Sequence, residues 1–524
     1  MNKEAIQNII NQHPEFKDKL FCRGFLLTDA TVDEKAYPFY DGWNTQNVGD
    51  YKLFVSPKQH YYVYDNNGVS YALIGHAYNP VSGEADENSI LKELSNKPNF
   101  GFCNTAYLNQ LTGVFTLFCA FGGGKLEIYG DATCMQSVFF GTIKGKVYVS
   151  SHTNLIGDLT DVQWDDYVKR LSRYRFFHML GNSLPGDLTQ FKEVKRLTPN
   201  FCAAWKDGKW ELERFYTPKT RELTNEEIAD SVARLVHANM ELIAKKWKKP
   251  AISCTGGCDS KTTLACADGL YDKFRYFSYI SNSSEEVDAK AAKNIIEALG
   301  HEHKTYVIPQ EDCELSLIDE VRAIIDWNTG DITPNNNNDI RKRRYFEDTN
   351  DFDVEVKSWA SEVGRAYYSK RFNGRTNFGR KPTARKCTAM YKFFLHGRKL
   401  VRQTDRVFSE YLKKYFKQDD THPVDWQEQL FWEFRSPSWN GLVITGEHRY
   451  SFDITIPYNN RLILELLLSA PIKDRINDTV YKIIRQKRNP KIDGTGIAVT
   501  NVKHTNNRAR AEDIYYWVMT HLLL

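Results

Sequence analysis

One stretch limits the architecture of this chain more than any other: "AISCTGGCDSKTTLACADG", Ala251 to Gly269. Its apolar start "AISC" reads as a strand, "SKTTLACADG" as a helix, and a polar, glycine-rich centre joins them. The alternation continues with strand "FRYFSYI", helix "EEVDAKAAKNIIEALG" and strand "KTYVI". A βαβαβ order predicts a parallel sheet with helices on both faces. In the second of these helices, Ser283 and Glu286 have capping-box spacing. Val287, Ala291, Ile295 and Leu299 share one face, and Gly300 stops the helix.

The rest of the chain is organised around this unit. A length of 524 residues calls for two or three domains. Residues 20–215 are rich in short alternating runs, "YKLFV", "YYVYD", "VSYALIG", "GVFTLFCAF", "KLEIYG" and "KVYVSS", divided by turn residues. They predict two stacked antiparallel sheets. "WDDYVKRLSRYRFFHMLG" reads as a helix ended by Gly181, and "NEEIADSVARLVHANMELIAKKW" as a longer one. Beyond the alternating unit the chain reads as mostly helical, with an Asn-rich loop at "DITPNNNND" and no internal repeat.

With 41% hydrophobic residues and 30 Phe, 29 Tyr and 11 Trp, the chain has material for a large core and is not of a disordered type. The amphipathic start lacks the apolar core of a signal peptide, and no run approaches the ~18 apolar residues of a membrane span. Ten cysteines without C-x-x-C pairs read as reduced thiols of a cytoplasmic protein, not as disulfides or a zinc site. The net charge of +4 selects no partner, but its distribution is uneven. Arg365 to Arg406 holds 13 Lys/Arg and one acid, Asp405, leaving 57 basic and 65 acidic residues elsewhere, a net of −8. Tyr367, Tyr368, Phe372, Phe378, Tyr391, Phe393 and Phe394 are interleaved with these bases. Bases and aromatics together suit phosphates and stacked bases; the alternative is a solvated face, or bases answered by acids elsewhere.

The centre of the opening stretch has the make-up of an anion cradle. Free N–H groups and a helix dipole converge after the strand. Gly256 and Gly257 let backbone approach phosphate oxygens, and Thr255 and Ser260 supply hydroxyl donors. Asp259 would repel a bare phosphate, so its useful role is to hold Mg²⁺. No G-K-[ST] follows the glycines, so this is not a Walker loop. The competing account is an ordinary βα turn. A sulfur-transfer reading of Cys254, Cys258 and Cys266 has no supporting spacing, and buried small hydrophobes explain them.

The loop resembles the pyrophosphatase motif S-G-G-x-D-S, written here T-G-G-C-D-S. Further segments resemble asparagine synthetases and β-lactam synthetases, in the order that family has them: "LTGVFTLFCAF" and "GDATCMQSVFFG" its glutaminase-type N-terminal fold, "LPGDLTQFKEVKRLTPN" its linker, "SEEVDAKAAKNIIEALGHEH" its second helix, "FDITIPYNNRLILELLLSAP" its P-F-L-D segment and "YKIIRQK" its late Lys helix. They run from about residue 100 to 490. The resemblance implies ATP-dependent activation of a carboxylate as an acyl-adenylate, release of pyrophosphate, and attack by a nitrogen nucleophile. It implies that Thr255, Gly256, Gly257 and Ser260 hold the pyrophosphate, that Asp259 binds Mg²⁺, and that Lys482 stabilises charge on the adenylate or the tetrahedral intermediate.

Two departures qualify it. Glutamine-using members begin Met-Cys-Gly, whereas this chain begins Met1-Asn2-Lys3 and its first cysteine is Cys22 in "FCRGFLL". The N-terminal fold is therefore expected to lack glutaminase chemistry. Where the family has the acidic S-G-x-G-A-D-E-L motif, "VKSWASEVGRAYYSKRF" keeps a single acid, Glu362, the candidate second metal ligand; the alternative is a surface helix start. Glu433 in "FWEFRSPSW" is a candidate acid/base among aromatics, the alternative being a pair with Arg435 or a neighbouring base.

The patterning predicts an antiparallel sandwich over 1–215, and the resemblance implies that it is of α+β, Ntn-like type. An α/β parallel-sheet synthetase domain of the adenine nucleotide hydrolase-like type, with a helical C-terminal part, follows over 216–524. The expected function is AMP-forming carbon–nitrogen ligation with ATP and Mg²⁺, using ammonia or an amine. Modification of an anionic acceptor such as a nucleic acid or sugar nucleotide, and non-catalytic binding, are the alternatives. Expected partners are a small or anionic carboxylate acceptor, a nucleic acid or other polyanion at 365–406, and a second copy of the chain.

Overall fold

The structure is a computed structural model that describes residues 2–96, 104–177, 183–330, 336–347, 349–392, 395, 397–416, 424–494 and 506–522. Gly181, Phe393, Phe394 and residues 331–335 of the Asn-rich stretch lie outside them.

The alternating runs of the first part form twelve strands. They are β1 (Phe25–Thr28), β2 (Asn44–Val48), β3 (Tyr51–Val55), β4 (Tyr61–Asn66), β5 (Val69–Tyr78), β6 (Thr112–Phe121), β7 (Lys125–Gly130), β8 (Phe139–Ile143), β9 (Lys146–Ser150), β10 (Val194–Arg196), β11 (Phe201–Lys206) and β12 (Lys209–Arg214). They make two six-stranded sheets of order β10-β8-β9-β1-β3-β2 and β12-β11-β7-β6-β5-β4, and the pairings are antiparallel. Strand periodicity of two sorts the side chains. Leu27, Leu53 and Val55 of one sheet meet Ile74, Phe118 and Ile128 of the other between the layers. Leu73, Phe115 and Leu117 point outward and are covered by Ile90, Leu91 and Leu94 of the helix Glu87–Ser95. Covered on both faces, β6 is buried along all ten residues. β5 and β6 approach so closely that a Cβ at Gly75 would lie 2.1 Å from the carbonyl oxygen of Val114, and one at Gly113 2.1 Å from that of His76. Both have positive φ, so only glycine fits.

The other outer layer draws on two segments distant in sequence. Ile6 and Ile10 of the first helix (Lys3–Gln12) pack with Val321, Ile324 and Ile325 of the helix Ile318–Asn328 against Leu26 and Phe54. The change of texture near residue 215 is therefore not a break in packing.

The alternating unit folds as a five-stranded parallel sheet. Its strands are β13 (Pro250–Ser253), β14 (Arg275–Ile280), β15 (Lys304–Val307), β16 (Val354–Val356) and β17 (Asp453–Thr455), in the order β15-β14-β13-β16-β17. The order reverses at β13, which places a topological switch beside the glycine-rich loop. The helix before the sheet (Asn225–Lys246) carries a full capping box between Thr224 and Glu227. The second helix of the unit spans Ser283–Ala298; its cap is Asn282 rather than Ser283, accepting from the backbone N–H groups of Ser284 and Glu285. Ala291 and Ile295 face inward as expected, but Val287 is 51% exposed. The helix read to Gly181 is shorter, Asp166–Ser172, with Asp165 as its cap.

Buried polar contacts join the parallel-sheet part to the sandwich. Asn459 donates from Nδ2 to Oδ1 of Asp131 at 2.8 Å and to the carbonyl of Gly113 at 2.6 Å. Arg461, fully buried, donates to the carbonyl of Gly130 at 3.1 Å and to Oδ1 of Asn200 at 3.1 Å. Trp432 donates from Nε1 to the carbonyl of Ala132 at 2.7 Å.

Candidate functional site

A cleft of about 300 Å³ opens at the carboxyl ends of β13, β14 and β16. In open α/β sheets this is the edge where ligands bind, because loops there converge with helix N-termini. The glycine-rich loop forms one wall: β13 ends at Ser253, and the loop helix (Cys258–Cys266) starts after Gly257. Gly257 has no side chain to cap this helix, so its first-turn N–H groups are left to other acceptors. Ser260 Oγ accepts from the Thr255 N–H at 3.0 Å, and Thr255 Oγ1 accepts from the Gly257 N–H at 3.2 Å. Both hydroxyls act as acceptors there, so each keeps a proton to donate. Thr255, Asp259, Ser260 and Glu362 all line the cleft. Lys357, 5% exposed, adds an ammonium whose Nζ donates to Glu355 Oε1 at 2.8 Å.

Asp259 is engaged on both oxygens. Oδ1 accepts from Ser361 Oγ at 2.7 Å, and Oδ2 pairs with Arg365. Arg365 in turn grips Asp478, Nε on Oδ1 and NH2 on Oδ2, each at 2.9 Å. Burial alone would lower the basicity of Arg365, but Asp478 and Asp259 outweigh it and fix the positive charge. Glu362 lines the same cleft. Its Oε2 is buried with no hydrogen-bond partner among the described residues, and burial, then the charge of Asp259, push its carboxyl up to about 7. Asp288 of the second helix also lines the cleft; burial raises its carboxyl and an N–H of Gly256 holds it down.

The residues present fit Mg²⁺ of one kind. Among the described residues no three His, Cys, Asp or Glu gather as a cage. Asp259 and the unpartnered oxygen of Glu362 fit instead an ion held by one or two carboxylates and completed by substrate phosphates, the usual arrangement for Mg²⁺.

Other sequence candidates fall elsewhere. Lys482, on the late helix (Thr479–Arg488), is exposed, while Tyr481 and Arg485 of that helix are buried. Tyr481 donates to the carbonyl of Ser361 at 2.7 Å, and Arg485 NH1 to Thr262 Oγ1 at 3.0 Å. Glu433 is fully buried but does not line the cleft, and its base is not Arg435. Arg214 of β12 holds it, with NH1 2.6 Å from Oε1 and NH2 2.8 Å from Oε2, and Asn200 and Gln429 donate to it as well. It sits in a wide π-helical segment, Phe431–Gly441, which contains Pro437.

In the basic stretch, Arg371 pairs with Glu512, Arg375 with Asp513 and Arg385 with Asp405. Tyr368, Phe372, Phe378 and Tyr391 are core residues packed on one another and on Tyr516 and Trp426, so they present no stacking platform. Arg380, Lys381, Arg398 and Lys399 remain exposed. Cys254 and Cys266 are buried, which raises both thiols, and they behave as small hydrophobes. Cys22, just before β1, is 2% exposed, with Sγ 3.5 Å from the carbonyl of Arg449. The segment before it is docked: the Phe21 N–H donates to Asn328 Oδ1 at 2.7 Å.

Arg365, Asp478, Ser361 and Asp288 were not singled out for this site from the sequence. The signal available was position: Ser361 and Arg365 flank Glu362, and Asp478 precedes the late helix by one residue.

No family profile and no curated protein matches the sequence. Among solved structures, glutamine phosphoribosylpyrophosphate amidotransferase from B. subtilis complexed with ADP and GMP aligns at 12% identity and TM-score 0.23, over 48% of this chain and 58% of its own. The structure of the allosteric regulatory enzyme of purine biosynthesis aligns at 9% identity and TM-score 0.25, over 58% of this chain and 78% of its own. This chain thus spans little more than half the length of the first. At such scores neither likeness bears on the function.

Proposed function

We propose that the chain is an asparagine synthetase-like, ATP-dependent carbon–nitrogen ligase that activates a substrate carboxylate as an acyl-adenylate. The observation that carries this reading is the Thr255–Ser260 loop at the carboxyl end of β13, in a cleft that Asp259 and Glu362 both line, with one Glu362 oxygen buried and unpartnered among the described residues. Thr255 and Ser260 donate hydroxyl protons to the β- and γ-phosphates, and the uncapped first turn of the loop helix adds backbone N–H groups. Mg²⁺, when bound, neutralises phosphate charge. Asp259 and Glu362 would hold it, and Glu362 would have to lose its proton to do so.

In the reaction a carboxylate oxygen of the acceptor attacks the α-phosphorus, the bond to the β-phosphate bridging oxygen breaks, and pyrophosphate leaves. A neutral amine or ammonia then attacks the acyl carbon, AMP departs, and the nitrogen gives up one proton. Free ammonia or a substrate amine is the nitrogen source in this reading. Cys22 is buried, and the segment before it is docked through Phe21 on Asn328. Lys482 is exposed and does not line the cleft, so its role as donor to charge developing at the acyl centre rests on the family resemblance alone.

The test is pyrophosphate release from Mg·ATP across a panel of carboxylates, with hydroxylamine as the trapping amine. A carboxylate-dependent hydroxamate together with AMP is expected. Absence of ATP–pyrophosphate exchange and of hydroxamate with every acid in the panel would sink the ligase reading.

A further inference from the structure

Arg365 does more than balance a charge. Three of its nitrogens divide between two carboxylates on different elements. Nε and NH2 form a parallel fork on Asp478, both at 2.9 Å, while NH1 alone reaches Asp259 of the loop. Asp478 stands at the N-cap of the late helix, where an aspartate ordinarily accepts from its own helix and stabilises it. Its side chain makes no such bond. It turns away to hold Arg365, and Lys370 at 2.6 Å, in a left-handed backbone conformation with φ +55°. The geometry therefore sacrifices a cap to fix one guanidinium. Lys370 also keeps Asp478 neutralised whatever NH1 does.

The fork leaves NH1 as the movable contact. Releasing Asp259 requires breaking one N–H···O interaction and no change in the Asp478 grip. We propose that Arg365, held against the cleft residue Asp259, binds phosphate there and is a resident stand-in for the metal. In the ligand-free chain NH1 covers Asp259. With a pyrophosphate group and Mg²⁺ in the loop, Asp259 would hold the metal and NH1 would donate to a phosphate oxygen. Arginine suits this because its planar fork binds a carboxylate along one edge and still presents a donor along another. The inference rests on the nucleotide reading of the loop and adds a cation that the family's acidic motif does not supply.

The test is calorimetric binding of inorganic pyrophosphate, and separately of ATP, over a range of Mg²⁺ concentrations. It compares wild type with Arg365→Met, Arg365→Lys and Asp478→Asn. Arg365→Met is expected to weaken pyrophosphate binding about tenfold to a hundredfold, the range of a charge-assisted contact. The same change should tighten the binding of Mg²⁺ alone several-fold, because Asp259 is uncovered. A merely structural role predicts no such opposite movement. Arg365→Lys keeps the charge but not the fork and should regain thermal stability without regaining affinity, and Asp478→Asn should lose several-fold in pyrophosphate affinity with Arg365 intact. If Arg365→Met does not fold, the Lys and Asn variants decide. Wild-type pyrophosphate affinity and wild-type Mg²⁺ dependence in the folded variants would overturn the proposal. Arg365-dependent pyrophosphate binding without turnover of ATP would uphold it and defeat the ligase reading. A wild-type chain that binds neither pyrophosphate nor ATP would defeat both.

Discussion

Arg214 and Glu433 form a two-pronged ion pair, 2.6 and 2.8 Å, that ties the last strand of the sandwich to the π-helical segment of the second part. Glu433 is fully buried and takes two more donors, from Asn200 and Gln429. Removing one partner of a buried pair strands the other charge, at roughly 3–5 kcal/mol. Glu433→Gln should therefore lower the unfolding free energy by about 3 kcal/mol, seen as a lower urea midpoint at unchanged slope, while leaving pyrophosphate binding intact. Replacing both residues by Met should recover most of the loss. Wild-type stability with abolished turnover would return Glu433 to an acid/base role.

Glu362 gives a pH signature with a definite sign. Its carboxyl is raised from 4.5 to about 7 by burial and then by Asp259, so the folded chain binds this proton more tightly than the unfolded one. Its contribution to stability is full below about 4.5 and is lost as pH rises through about 7. At ~1.4 kcal/mol per tenfold the loss is on the order of 3 kcal/mol at most. Glu362→Gln should thus be more stable than wild type at pH 8 and close to it at pH 4.5. Mg²⁺ should stabilise wild type at pH 8 and do little for the variant. Denaturant midpoints at the two pH values measure both.

On the late helix, the outward Lys482 and the inward Arg485 make a paired comparison. Lys482→Ala should leave stability within ~0.5 kcal/mol, as exposed substitutions do. Arg485→Met loses the bonds to Thr262 and Asp493 and should cost about 1.5–3 kcal/mol, with weaker ATP binding because the loop helix loses its clamp. For Lys482 the expected catalytic effect is a drop in turnover with little change in ATP affinity, read by single-turnover kinetics. An unchanged rate would leave it a solvated lysine.

The exposed bases Arg380, Lys381, Arg398 and Lys399 test the anionic-acceptor expectation. Changing all four to Gln should leave the thermal midpoint almost unmoved. If the acceptor is a polyanion, its binding should weaken and its dependence on salt should flatten, since fewer counterions are displaced. ATP affinity should hold. Acceptor binding indifferent to both salt and the substitutions would separate this stretch from the cleft.

What the sequence discloses depends on whether the cause is local. The βαβαβ unit is legible because strand and helix periods alternate cleanly from Ala251 to Val307. The Asn282 cap is displaced by one residue from the expected Ser283 because both types cap and only backbone geometry chooses. Arg365 is unreadable for the opposite reason. Its carboxylates lie 106 and 113 residues away, so the sequence displays a base in a basic stretch and hides its partners. The π-helical turn around Pro437 has no periodic signature, and its wide geometry comes from contacts such as Trp432 to Ala132, 300 residues apart.

The junction at Asp131 has a consequence for anyone who would cut this chain in two. Asp131 is fully buried, and among its donors is Asn459, a residue of the other half. A sandwich expressed alone would bare that carboxylate together with the carbonyls of Gly130 and Ala132, which Arg461 and Trp432 now serve. The two halves are accordingly poor modules. A chimera that joins this sandwich to a foreign catalytic half must transplant Trp432, Asn459 and Arg461 with it, or inherit a seam that no longer closes.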